Sequence, residues 1–184
     1  MAKSNYPRKV NVDGNKLTFR LMQTGDRETL LARAKRLAEE DLLFMRRDIT
    51  QPDAVDDWIH DIERNHAFSI LVEDAGNIVA YGTLYHHQLF WNRHIAEIRV
   101  LVSSRYRSRG LGKAITQTLM REARDVNGIE KVLIYMAVDN KAARRMAEES
   151  GFQAEAILSE WVKTRDNRKH DLLIMSASLD DLNL

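Results

Sequence analysis

Cysteine is absent from the sequence. Disulfide scaffolds, thiolate metal sites and cysteine nucleophiles are excluded with it. Proline occurs only at Pro7 and Pro52, and there is no low-complexity linker and no internal repeat. No stretch approaches the roughly 20 apolar residues of a membrane span. The first ten residues, MAKSNYPRKV, hold no apolar segment like that of a signal peptide. The cytoplasm is therefore the expected location, with no membrane partner. An excess of one charge is missing too: 28 Lys and Arg face 27 Asp and Glu, for a formal net charge of +1. Bulk binding to nucleic acid needs a clear basic excess, so none is expected.

What is present suits one folded domain over residues 1–184. Hydrophobic residues make up 44% and charged residues 30% of the chain, ordinary values for a globular core. Residues 1–15 read as a loose arm. KLTFRLM, from Lys16, alternates like a strand. Thr24 offers a cap for a helix carrying Leu30, Leu31, Ala34, Leu37 and Ala38. Pro52 opens a second helix, whose buried stripe is Val55, Trp58, Ile59 and Ile62. Two strand-like runs then flank a turn at Asp74-Ala75-Gly76-Asn77, and HIAEIRVLV (94–102) follows as a further strand. Leu111, Ile115, Leu119, Ala123 and Val126 mark a helix that ends at Asn127-Gly128. KVLIYMAV (131–138) is a continuous apolar strand. Asp139 or Asn140 caps a short helix closing at Gly151. Two last runs, 152–164 and 169–179, form a hairpin around Arg165–Arg168. The order is β-α-α-β-β-β-α-β-α-β-β: an α/β (α+β) fold, with a mixed, mostly antiparallel sheet flanked by helices and one parallel crossover.

RYRSRGLGKAI, from Arg105 to Ile115, sits between a strand and a helix. It lacks the GxxxxGK[ST] phosphate loop, and Ile115 stands where the dinucleotide pattern GxGxxG needs its third glycine. Arg107-x-x-Gly110-x-Gly112 does remain. Free N–H groups at a helix start carry partial positive charge. Glycines let an anion approach them closely. Arginine and lysine add charge-assisted contacts. The stretch is either a solvated basic loop or a pyrophosphate cradle.

The segment AEIRVLVSSRYRSRGLGKAI resembles the central motif of the GNAT acyltransferase superfamily, with Val102 eight residues before Gly110. VDNKAARRMAEESGF resembles that superfamily's second motif through Asn140, Ala143 and Gly151-Phe152. The resemblance covers about residues 16–179. It implies the GNAT fold, with central parallel strands splayed apart, and acetyl-CoA as co-substrate with no metal. It also implies backbone contacts to the pyrophosphate from Arg107, Ser108, Arg109, Gly110, Leu111, Gly112 and Lys113. The pantetheine arm would lie along Val100, Leu101 and Val102, with Asn140 near the thioester. Two positions depart from the family's habit. Ser104 replaces a frequent proline, and Ala147 stands where many members carry a tyrosine that protonates the leaving thiolate.

Transfer to an amine needs a proton acceptor. Glu97, His86 and His87 are the candidates; the alternative for Glu97 is an edge or surface residue, and for each histidine a surface or packed one. Tyr135 is a candidate replacement acid, or a core tyrosine. Glu97 lies five residues before Val102, where some relatives have six, and one residue on a strand changes the face. Trp58, Phe90, Trp91 and Trp161 are candidate pocket residues, or core. Glu39, Glu40 and Asp41 would suit a cationic acceptor. The expected function is N-acetyl transfer to a primary amine of a small molecule or peptide, with a homodimer left open. The alternatives are a non-catalytic acyl-CoA-binding module and, through Arg105–Arg109, a nucleic-acid-binding domain.

Overall fold

The computed structural model describes residues 5–43, 45–86, 89–126 and 128–180, with the side chain of Glu40 left out. Among the described residues eight strands form one sheet in the order β1-β2-β3-β4-β5-β6-β8-β7. They are β1 (Arg8–Val12), β2 (Asn15–Leu21), β3 (Ala67–Asp74), β4 (Asn77–His86), β5 (Ile95–Val102), β6 (Lys131–Ala137), β7 (Gln153–Lys163) and β8 (Lys169–Ser178). The helices are α1 (Arg27–Ala34), the single turn α2 (Glu39–Leu42), α3 (Pro52–Glu63), α4 (Leu111–Arg124) and α5 (Lys141–Glu149). Every neighbouring pair is antiparallel except β5–β6. The α4 crossover joins these two, as a parallel pair requires.

Two expectations need correction. Residues 8–12 are not a loose arm. They pair with β2 around Asp13-Gly14, both at positive φ, the two-residue turn that matches strand twist. The first helix does not run from Thr24 to Ala38. Thr24–Asp26 is a separate 3₁₀ turn, and the Asp26 carboxylate, not Thr24, accepts from the Gln23 N–H at 2.8 Å. Arg20 holds the same carboxylate through two hydrogen bonds. The helix then stops at Ala34, leaving Ala38 exposed. The Asn127 end signal lies outside the described residues.

The sheet is covered on both sides. Beneath α4 and α5 lie Phe19, Ile70, Leu84, Ile98, Ile115, Leu119, Val132, Met136 and Met175. Beneath α1 and α3 lie Leu31, Val55, Trp58, Leu71, Tyr81, Tyr85 and Leu101. Strand β4 runs between both layers and is buried from Ile78 to Tyr85. Its Gly82 lets α4 sit close, because a Cβ there would lie 2.3 Å from the Ile115 Cγ2 and 2.9 Å from the Leu119 Cδ1. By contrast, β7 is an edge strand with a largely exposed surface.

Candidate active site

The parallel pair is short. Registered partners run from Ile95↔Lys131 to Glu97↔Leu133 and stop, although β5 continues to Val102 and β6 to Ala137. Each arm keeps its outer neighbour, β4 for β5 and β8 for β6. The two central strands therefore open as a V with Glu97 at its vertex. The Ser103 N–H donates to the Val79 carbonyl on the β4 side at 3.0 Å. Backbone groups alternate in direction along a strand, so the N–H and C=O of Val102 and Val100 face the gap. Their side chains are half-buried toward α4, while Leu101 is buried on the opposite face.

At the open end of the V stands the start of α4. Gly110 caps it with φ +76°, a conformation that suits glycine, and Ala114 N donates to Gly110 O at 3.0 Å. The amides of Leu111, Gly112 and Lys113 precede that first helical bond. A Cβ built on Gly112 would meet only Val102 Cγ2 at 3.9 Å and Met146 Cγ at 4.0 Å. The protein itself therefore leaves space over this turn. Leu111 anchors it in the core, and the Tyr106 hydroxyl ties the preceding loop to Asp74 at 2.6 Å. Ser108 takes a positive φ of 59°. Arg107 and Arg109 are exposed, and Lys113 pairs with Glu149 at 3.6 Å. Arg107 is engaged twice: its Nε donates to the Val102 carbonyl at 3.0 Å, and its Nη2 meets Asp41. These features fit a pyrophosphate and a thin arm running down the gap.

Near the vertex, on the α3 face, a cavity is lined by Arg46, Arg47, Arg99, Trp58, Tyr81 and Tyr85 among others. Trp58 and Tyr81 stack obliquely with centroids 5.1 Å apart. The Trp58 indole donates to Ser69 Oγ at 3.0 Å, and Ser69 shares a 2.8 Å hydrogen bond with Thr83. Glu97 is buried, at 5% exposure, and accepts from Arg99 Nε. The Arg99 guanidinium lies 5.0 Å from the centre of the Tyr135 ring. Burial raises the Tyr135 phenol above its ordinary value; Glu97 adds to this, and Arg99 and Arg46 oppose it. Burial likewise pushes Tyr85 up to about 12, against Arg46 and Arg47. Both phenols keep their protons at neutral pH. A carboxylate and a phenol thus flank the point where the strands part.

The structure brings Glu97 and Tyr135 together. The β4–β5 register is unbroken from Ala80↔Val102 to His86↔Ala96, so no bulge intervenes and Glu97 faces away from Val102's side. Glu97 is a buried residue, not an edge one. His86 shares the face of Leu84, opposite Glu97, at the end of β4. Burial holds its imidazole below the ordinary value; a bond to the Asn65 backbone opposes this and His66 adds to it. His87 lies outside the described residues. Asn140 caps α5, its Oδ1 accepting from Ala143 N at 3.0 Å. Ala147 is wholly buried in the core. Of the four aromatic pocket candidates only Trp58 lines the cavity. Phe90, Trp91 and Trp161 are 79%, 73% and 69% exposed, so they are not core, and they do not line this cavity. The acidic cluster is largely spent, since Asp41 meets Arg107 and Glu39 accepts from the Arg165 backbone N–H. Sequence reasoning passed over Arg46, Arg47 and Arg99. Arg99 had a signal, because it stands two residues from Glu97 and so shares its face. Arg46 and Arg47 lie in an irregular segment and had none.

Residues 32–152 match the model of the acetyltransferase (GNAT) family. The chain belongs to the GNAT acetyltransferase family. That stretch holds the V, the loop at 105–113 and both motifs, so the GNAT resemblance of the sequence is confirmed, and with it the fold. Over 86 residues the chain is 31% identical to a mycothiol acetyltransferase of Salinispora tropica, a match covering 46% of this chain and 28% of that protein. The chain thus spans well under half of that curated relative. Among solved structures it resembles ribosomal-protein-alanine N-acetyltransferase from Brucella melitensis, with TM-score 0.76, 23% identity and coverage of 87% and 98%. It also resembles spermidine N-acetyltransferase from Vibrio cholerae, solved with CoA and spermine: TM-score 0.73, 20% identity, coverage 89% and 96%. A Salmonella typhimurium protein solved with acetyl-CoA gives TM-score 0.75, 20% identity and coverage of 91% and 96%. At these identities the structural likenesses establish the fold. Among the described residues no helix is long and apolar enough to cross a membrane.

Proposed function

We propose that this GNAT protein transfers an acetyl group from acetyl-CoA to a primary amine by direct attack. The observation that carries the reading is the V itself. Its open end meets the α4 N-terminus, and its vertex holds Glu97 with Tyr135 beside it. The donor supplies an activated acyl thioester. The amides of Leu111, Gly112 and Lys113 hold its pyrophosphate, with Arg107, Ser108 and Arg109 around them. The gap-facing groups of Val100 and Val102 pair with the pantetheine arm, for which Arg107 must release the Val102 carbonyl. Asn140 stays the cap of α5.

Glu97 accepts the proton of the incoming amine, directly or through water. The new N–C bond forms as the C–S bond breaks. A gap-facing strand N–H donates to the oxygen of the reacting carbonyl. Tyr135, protonated at neutral pH, gives its proton to the departing sulfur. This role falls to Tyr135 because the Ala147 position is closed by core packing. His86, on the other face, takes no part.

The test is thiol release on mixing acetyl-CoA with a panel of amines. Release that depends on both reactants supports transfer. CoA binding without release from any amine leaves only a thioester-binding module and overturns the reading.

A further inference from the structure

The cavity beside the vertex is lined by charge of one sign. Among the described residues three arginines line it and no carboxylate does. Arg47 is neutralised by Asp61 at 2.7 Å and Asp57 at 3.4 Å. Arg46 is exposed and stacks on Tyr85, 4.6 Å from the ring centre, and it forms no ion pair among the described residues. Arg99 gives its Nε to Glu97, but its Nη1 is buried without a hydrogen-bond partner among the described residues. An unpaired buried donor of a charged group is costly, and a guanidinium fork matches a carboxylate.

We infer that the acceptor is an amine bearing a carboxylate, its anionic group held between Arg46 and Arg99. This rests on the acyl-transfer reading and narrows it. Glu97, already paired with Arg99, is left to face the amine end. A polyamine is disfavoured, because a second ammonium would meet guanidinium groups in the described lining and no carboxylate there.

Three amines of one length separate the possibilities: 6-aminohexanoate, hexylamine and 1,6-diaminohexane. Binding to the protein is measured by calorimetry, and kcat/KM by thiol release from acetyl-CoA. The carboxylate member is expected to lead by about 10- to 100-fold, the worth of a charge-assisted hydrogen bond. Arg46→Gln, at an exposed position, should shrink that lead, and Arg46→Glu should turn it toward the diamine. An equal or better showing by hexylamine or the diamine overturns the proposal, as does calorimetry without a carboxylate preference. The carboxylate can belong to a free small molecule or to a peptide. N-acetyl-Asp-Lys-amide against N-acetyl-Asn-Lys-amide repeats the comparison in a peptide, and the pair with the larger gap names the source. Should thiol release fail while the calorimetric preference holds, the transfer reading falls and the carboxylate site stands.

Discussion

The two ends of the V are built by different means. The α4 end is local: one strand end, one loop and one helix start, contiguous from Val102 to Lys113, offer backbone groups to a ligand. The vertex end is distributed: Arg46 and Arg47 precede α3, Tyr85 lies one residue before the end of β4, Glu97 and Arg99 lie on β5, and Tyr135 on β6. The first end works through missing side chains and the second through present ones. A backbone cradle binds a part common to many donors, whereas a side-chain cavity can be changed residue by residue without disturbing that cradle. On the proposed assignment, the donor site is thus insulated from changes in acceptor preference.

The contrast would be broken most strongly at the vertex. Glu97→Gln keeps the shape and removes the proton acceptor, so kcat should fall by roughly 10²- to 10⁴-fold, with CoA affinity by calorimetry unchanged. Full kcat at pH 7 would move the base elsewhere. Tyr135→Phe should also lower kcat, by about 100-fold, again with CoA affinity kept. A small effect would return Tyr135 to a packing role and leave the thiolate to take its proton from solvent. At the other end, Gly112→Asp should weaken CoA binding by on the order of 100-fold, the worth of one or two charge-assisted hydrogen bonds. Its Cβ has ordinary room in the protein, so the melting temperature should hold. Unchanged CoA affinity would refute the cradle.

Smaller effects sharpen the comparison by touching the fold and neither end. Ala147→Tyr puts a large ring into a wholly buried position and should cost about 1–3 kcal/mol of stability by denaturant titration. A gain in kcat from this variant would contradict the assignment of the acid to Tyr135. The least effect is expected from Asp26. Burial would raise its carboxyl, but hydrogen bonds from Arg20 and the Gln23 N–H outweigh it and hold the group below its ordinary 3.8. A depressed folded value means that its stabilisation is complete above pH 3.8 and is lost as pH falls through the lower folded value. Asp26→Asn should therefore flatten the acid limb of the stability curve, by about 1 kcal/mol or less for such a partly exposed pair.

The sequence by itself determined the α4 end and most of the element order. Gly110, Gly112 and the arginines around them are neighbours in the chain, and a helix start exposes its N–H groups wherever it occurs. Alternation, apolar runs and turn signals also marked seven of the eight described strands. The missed one, β1, gains its place by pairing with β2 across Asp13-Gly14, and its own half-buried pattern is too short to announce it. Only the tertiary structure decided the vertex. The β4–β5 register put Glu97 on one face and His86 on the other, and nothing in the chain says which face carries the cavity. That depends on α1 and α3 folding over one side of β4 and β5 and leaving room beside Trp58. Nor does the chain say that Arg46, 53 residues before Arg99, meets the same space. Such contacts are set by packing between elements distant in sequence, which no local pattern encodes.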